Sequence, residues 1–144
     1  MRDAARQLGL EVRYFPTHMA AALDAAIADI ARARDDAILA FADGFTRGFA
    51  GRFAAFSLEQ RIPVVGGWAQ FARAGNLTIH GPVFGEVYRR LASYPDNVRK
   101  SAKPGDLPVE LPKKVELIVN LKTAKAIGIA IPPGVLARAD ELIR

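Results

Sequence analysis

The chain has 144 residues, 51% of them hydrophobic and 24% charged, with a formal net charge of +5. That size and apolar content suit an ordinary folded domain and exclude a disordered polyelectrolyte, while no apolar run approaches the ~20 residues that cross a bilayer as a helix. Cysteine is absent, which excludes disulfides and thiolate metal sites, and two histidines, His18 and His80, are too few for a His-rich metal site.

Residues 2–8 have helical composition, and Gly9 is placed to end that helix as a C-cap. The opening stretch has no signal-peptide core, so the chain as written is expected to remain in the cytoplasm. Residues 10–15 alternate and carry Val12, Tyr14 and Phe15, which predicts a strand. Thr17 or His18 then opens a helix with Met19, Leu23, Ile27 and Ile30 on one face. The apolar run at 37–42, flanked by Asp36 and Asp43, predicts a buried parallel strand.

Asp43-Gly44-Phe45-Thr46-Arg47-Gly48 reads as a loop, followed by a helix marked by Phe49, Phe53 and Phe56. Residues 62–65 predict a strand ending in Gly66-Gly67, and residues 68–74 a short helix stopped by Gly75. A strand at 77–80 is expected to break at Gly81-Pro82. Phe84, Val87 and Leu91, with Tyr88 beside them, mark a long helix that Pro95 kinks or stops. Residues 101–113 read as a connector, 115–121 as a strand, and Pro132-Pro133 as the start of a final helix. Alternating strands and helices predict an α/β, three-layer fold with a mainly parallel sheet.

In open α/β sheets, ligands bind beyond the carboxyl ends of the strands. That rule selects the loops carrying Asp43, Phe45 and Thr46, then Gly67 and Trp68, then His80. A carboxylate, a hydroxyl, aromatic faces and free backbone groups suit a small organic solute with a polar head and an apolar body. Each residue also has a structural reading: Asp43 as a cap, Phe45 and Trp68 as packing, the Gly pair as a turn, His80 as a hydrogen-bond donor. Phosphate-loop, dinucleotide, nucleophile-elbow and H-E-x-x-H motifs are all missing, so neither an enzyme nor a cofactor is expected. The cations are dispersed, with Arg89, Arg90, Arg99, Lys100 and Lys103 the densest group. Without aromatic interleaving they read as a solvated face, and no nucleic-acid partner is expected.

The tail carries Lys103-Pro104-Gly105-Asp106-Leu107-Pro108, then Val115-Glu116-Leu117-Ile118-Val119-Asn120-Leu121, then Ile131-Pro132-Pro133-Gly134-Val135-Leu136. It closely resembles the carboxyl-terminal signature of a family of bacterial ABC-transporter substrate-binding proteins. Weaker matches at 4–11, 36–43, 61–75 and 80–82 extend the resemblance along the chain. The resemblance implies a type I periplasmic-binding-protein-like lobe plus a carboxyl-terminal crossover segment. On that basis residues 1–81 would form a second-lobe core, and 82–144 the crossover helix, connector, strand and terminal helix. It also implies periplasmic location, a small solute of the amino-acid or aromatic class, and an ABC permease as partner.

Such receptors are about twice as long, so a truncated component with weak or lost binding is expected. Faces carrying Phe84, Val87 and Leu91, or Ile118 and Leu121, would then be uncovered and favour a homo-oligomer. The alternative is a cytosolic ligand-sensing or oligomeric interaction module built on the same lobe.

Overall fold

The computed structural model describes residues 2–100, 103–108 and 110–144. The chain divides into two compact units, Met1–Arg34 and Asp35–Arg144.

The first unit contains helix α1 (Arg2–Gln7) and helix α2 (Ala20–Ala33). Gly9, at φ +69°, ends α1, with Leu10 N–H donating to the Ala5 carbonyl (2.9 Å) and Gly9 N–H to that of Arg6 (3.0 Å). That pair of bonds is a Schellman cap, and it satisfies carbonyls that the helix leaves open. Residues 10–15 do not form the predicted strand. Alternation gives a segment strand propensity, but a strand exists only where a neighbouring chain takes up its N–H and C=O groups. No such ladder forms there among the described residues, and Glu11, Arg13 and Tyr14 are exposed. Helix α2 begins after Met19, later than expected, and buries Leu23, Ala26 and Ile30; Met19 itself is exposed.

The second unit holds a five-stranded sheet in the order β1-β2-β3-β4-β5, flanked by helices. The strands are β1 (Ile38–Leu39), β2 (Val64–Gly66), β3 (Thr78–Pro82), β4 (Val115–Asn120) and β5 (Glu141–Ile143). All neighbours are parallel except β3 and β4. The fold is thus α/β with a mostly parallel sheet, as the alternation predicted. Val64, Ile79, Ile118 and Val119 are fully enclosed. Phe53 of helix α4 (Ala50–Gln60) meets Phe71 of helix α5 (Ala69–Arg73), with ring centroids 5.8 Å apart. Each such side chain contributes about 1.5–3 kcal/mol on burial.

Several expectations are corrected. Residues 44–48 are a short helix, α3 (Gly44–Gly48), because Asp43 and Thr46 form a capping box that nucleates it. Gly81-Pro82 continues β3 rather than breaking it, pairing with Glu116 and Val115. Proline is tolerated there because it is the last residue of β3, and the next N–H, of Val83, donates to the Lys114 carbonyl (3.1 Å).

The long helix is two helices, α6 (Phe84–Leu91) and α7 (Ser93–Arg99). Pro95 falls in the first turn of α7, where backbone N–H groups have no helical partner to lose. The predicted strand over 115–121 stops at Asn120, which caps an unanticipated helix, α8 (Leu121–Ile127), by accepting from Thr123 N–H (3.1 Å). The final helix, α9 (Pro133–Leu136), is one turn long, and β5 follows it. Ile118 is buried rather than uncovered, whereas Val87 and Leu91 are 36% and 57% exposed.

Buried amides join these elements. Asn76 Nδ2 donates to the carbonyls of Ala50 (2.9 Å) and Phe71 (3.0 Å). Asn120 Nδ2 donates to Ala72 (3.0 Å), and Thr123 Oγ1 to Gly75 (2.7 Å). At the surface, Arg90 makes a two-pronged ion pair with Glu110, and Tyr94 Oη donates to the Pro108 carbonyl (2.9 Å). The hydrogen bond from Arg90 holds the Glu110 carboxyl below its ordinary range.

Asn76→Ala removes the side-chain donor to two carbonyls beside a filled core, and should lower stability by about 2–4 kcal/mol. Urea unfolding measures it; a loss under about 0.5 kcal/mol would show that the Asn76 bonds do not hold α4 and α5 in place.

Candidate functional site

The segments at the ends of β1, β2 and β3 approach one another closely, Gly81 against the Gly67 backbone and Gly67 against the Ala42 methyl. A Cβ on Gly81 would lie 1.9 Å from the Gly67 carbonyl oxygen, and one on Gly67 would lie 2.6 Å from the Ala42 Cβ. Only glycine permits these approaches, so the segments carrying Ala42-Asp43, Gly67-Trp68 and His80-Gly81 are gathered at one edge of the sheet.

Asp43 follows this contact on the β1 side. Its Oδ1 accepts from Thr46 N–H (2.7 Å) and from Thr46 Oγ1 (3.0 Å), while Thr46 Oγ1 also donates to the Phe41 carbonyl. Thr46 is buried by these bonds and serves the turn, whereas Asp43 is exposed. Its Oδ2 enters no hydrogen bond among the described residues. The capping reading of Asp43 is therefore realised, and it leaves one carboxylate oxygen open.

Trp68 follows the contact on the β2 side and is half-buried. Its ring centroid is 5.2 Å from that of Phe84, which is 4.6 Å from that of Tyr88. Both pairs are tilted, the arrangement ring quadrupoles favour. The Arg47 guanidinium lies 5.7 Å from the Trp68 centroid and 5.7 Å from that of Phe84. Phe45 turns to Phe49 instead, at 4.8 Å. His80 sits within β3, exposed and backbone-paired with Leu117; no described hydrogen bond or ring contact joins it to the other candidates.

The arrangement thus brings Asp43, Thr46, Gly67 and Trp68 together and leaves Phe45 and His80 at its margins. Sequence reasoning missed Arg47, Phe84 and Tyr88. The signals were present: Phe84 and Tyr88 stand four apart on one helix face, as Asp43 and Arg47 do across one turn. An open groove in the first unit, lined by Arg2, Ala5, Arg6 and Gly9 among others, contains none of the candidates. Among the described residues, no three His, Asp or Glu side chains converge as a metal would require, and no helix is long and apolar enough to cross a membrane.

A mostly parallel sheet flanked by helices is the periplasmic-binding-protein-like fold. A conserved domain protein from Vibrio cholerae O1 biovar El Tor has the same fold (TM-score 0.90, 24% identity, covering 98% of this chain and 47% of that one). So does an ABC domain from Streptococcus pneumoniae in complex with L-Trp (TM-score 0.90, 22% identity, 98% and 48%). A ligand-free, open substrate-binding protein with adhesive properties from Clostridium difficile is more distant (TM-score 0.67, 16% identity, 99% and 47%). The chain spans about half the length of each of these structures. No curated protein matches it. The profile of the ABC transporter substrate binding protein family matches residues 1–143, and the chain belongs to that family.

Gly81→Ala should part the strand ends and cost about 1–3 kcal/mol, as overpacking does. Gly85→Ala, in α6 with open space around it, should stabilise by about 0.5–1 kcal/mol. Thermal melts of the two variants side by side test the contact; a neutral Gly81→Ala would show that the strand ends are not locked together.

Proposed function

We propose that the chain supplies one wall of the solute site of an ABC importer, taking a small organic solute of the amino-acid or aromatic class. The observation that carries this reading is the gathering of a half-buried indole and an exposed, half-satisfied carboxylate on the joined ends of neighbouring strands. Asp43 Oδ2 accepts a hydrogen bond from an ammonium or hydroxyl group of the solute, and Trp68 covers its apolar part. Thr46 holds Asp43 in place, and Gly67 lets the solute approach the backbone. Phe45 and His80 contribute at the rim. The Streptococcus pneumoniae neighbour, a complex with L-Trp, supports an aromatic amino acid as the first solute to try.

The reading is one of binding rather than catalysis, with delivery to an ABC permease on the outer side of the membrane. Water reaches Asp43, Arg47 and His80, which are all exposed. The affinity of this chain alone is therefore expected to be weak, about 0.1–1 mM, since an open wall neither excludes solvent nor surrounds the solute. A second reading, a ligand-sensing or oligomeric interaction module, is favoured by one observation, the exposed apolar ridge of Val87, Tyr88 and Leu91 on α6.

Calorimetric titration with aromatic and aliphatic L-amino acids tests the leading reading. Asp43→Asn keeps the helix cap but removes the charge, and should weaken binding of amine-bearing solutes at least about tenfold. Trp68→Ala should weaken aromatic solutes by a similar factor. Binding untouched by both substitutions would move the site elsewhere.

A further inference from the structure

The second charged group at the strand ends is Arg47, and its surroundings differ from those of five arginines that form ion pairs in or beside the sheet and helices. Arg32, Arg73, Arg89, Arg90 and Arg99 pair with Asp29, Glu141, Glu86, Glu110 and Asp96 respectively. Arg47 has no carboxylate partner among the described residues. Its guanidinium lies beside two rings, 5.7 Å from the centroids of both Trp68 and Phe84.

A guanidinium held against aromatic faces loses side-chain freedom but keeps its donors. A cation–ring contact engages the charge and uses none of the five N–H donors. Two of those donors form a fork that suits a planar two-oxygen acceptor. Arg47 N–H donates to the Asp43 carbonyl (3.1 Å), so the two residues are separated by a single helical turn. Their side chains make no ion pair with each other, and one carboxylate oxygen of Asp43 is free. The strand ends therefore present an unpaired cation and an unpaired anion one turn apart, with an aromatic wall against the cation.

We propose that Arg47 is the anion-recognising residue of this site, and that the site selects solutes bearing a carboxylate next to an aromatic or apolar body. This rests on the solute-binding reading above and sharpens it. A neutral or purely cationic aromatic compound leaves the guanidinium without a partner, while a carboxylate satisfies it in two-pronged fashion. A zwitterionic aromatic amino acid uses both charges at once.

Trp68 is the chain's single tryptophan, so its emission reports directly on the wall. Phenylacetate, L-phenylalanine, phenylacetamide and phenethylamine are titrated into the wild-type chain, Arg47→Gln and Arg47→Lys, with excitation of the indole alone and calorimetry in parallel. The wild type should bind phenylacetate at least about tenfold more tightly than phenylacetamide, the margin that a charge-assisted pair provides. Arg47→Gln should bring the acid to within about twofold of the amide. Arg47→Lys, which keeps the charge but loses the fork, should fall between them.

Equal binding of acid and amide by the wild type, a comparison that needs no variant, would overturn the role of Arg47 and leave the solute-binding reading standing. So would an acid preference that survives Arg47→Gln. Absence of any quench or heat with all four compounds in the wild type would overturn both.

Discussion

A side chain on Gly81 would place its first carbon 1.9 Å from the carbonyl oxygen of Gly67, and one on Gly67 would strike Ala42. The positions of the functional groups follow from that approach. Because the ends of β1, β2 and β3 approach this closely, the residue after each contact is delivered to the same edge of the sheet. Asp43 leaves from the first strand and Trp68 from the second, while β3 leads on through Val83 to Phe84 and Tyr88. Arg47 then returns over the rings from the helix that Asp43 caps. Hydrogen-bonded amides brace the opposite ends of the strands. Asn76 and Asn120 tie α5 to α4 and α8, so the strand ends cannot slide independently.

Magnitudes separate what holds the lobe from what decorates it. Val64, Phe71, Ile79, Ile118 and Val119 are enclosed, and at about 1.5–3 kcal/mol each they dominate any surface contribution. The exposed ion pairs contribute about 0–1 kcal/mol apiece. Their use is local: Arg73 with Glu141 joins α5 to β5, and Arg90 with Glu110 joins α6 to the connector. The site groups belong to neither class. Trp68 is only half-buried, and Asp43 and Arg47 are exposed and form no ion pair among the described residues. Arg32, Arg73, Arg89, Arg90 and Arg99 each pair with a carboxylate, whereas Arg47 meets two rings instead.

Much of the sheet was legible because its central strands combine apolar runs with glycine punctuation. Ile38, Val64 and Ile79 fall where the sequence placed strands, and β4 was clear from 115–120. The departures have identifiable physical origins. Residues 10–15 have the right alternation, yet pairing is a property of two segments and cannot be read from one. Helix α8 was hidden because Leu121 prolongs an apolar run, and only the spacing of Asn120 and Thr123 betrays the cap. Strand β5 is three residues long, too short for any period to register. Gly81-Pro82 looks like a break in isolation, whereas β4 supplies the partner that keeps it extended. The strand-end rule nominated Asp43 and Trp68 as candidates without knowledge of their neighbours. It did not single out Arg47, Phe84 and Tyr88, because the helical spacing of Phe84 and Tyr88 reads equally as ordinary packing, and the contacts of Arg47 with Trp68 and Phe84 join separate elements.

The claim at the centre of this account is that the joined ends of β1, β2 and β3 form the solute-binding wall. Amide chemical-shift mapping of the 15N-labelled chain during titration with L-tryptophan tests it most directly. The account predicts fast-exchange shifts concentrated at residues 42–47, 66–68 and 80–84, with saturation at about 0.1–1 mM as weak single-wall binding requires. Shifts confined to residues 2–34, or spread along the exposed face of α6 while the strand ends stay silent, would contradict it.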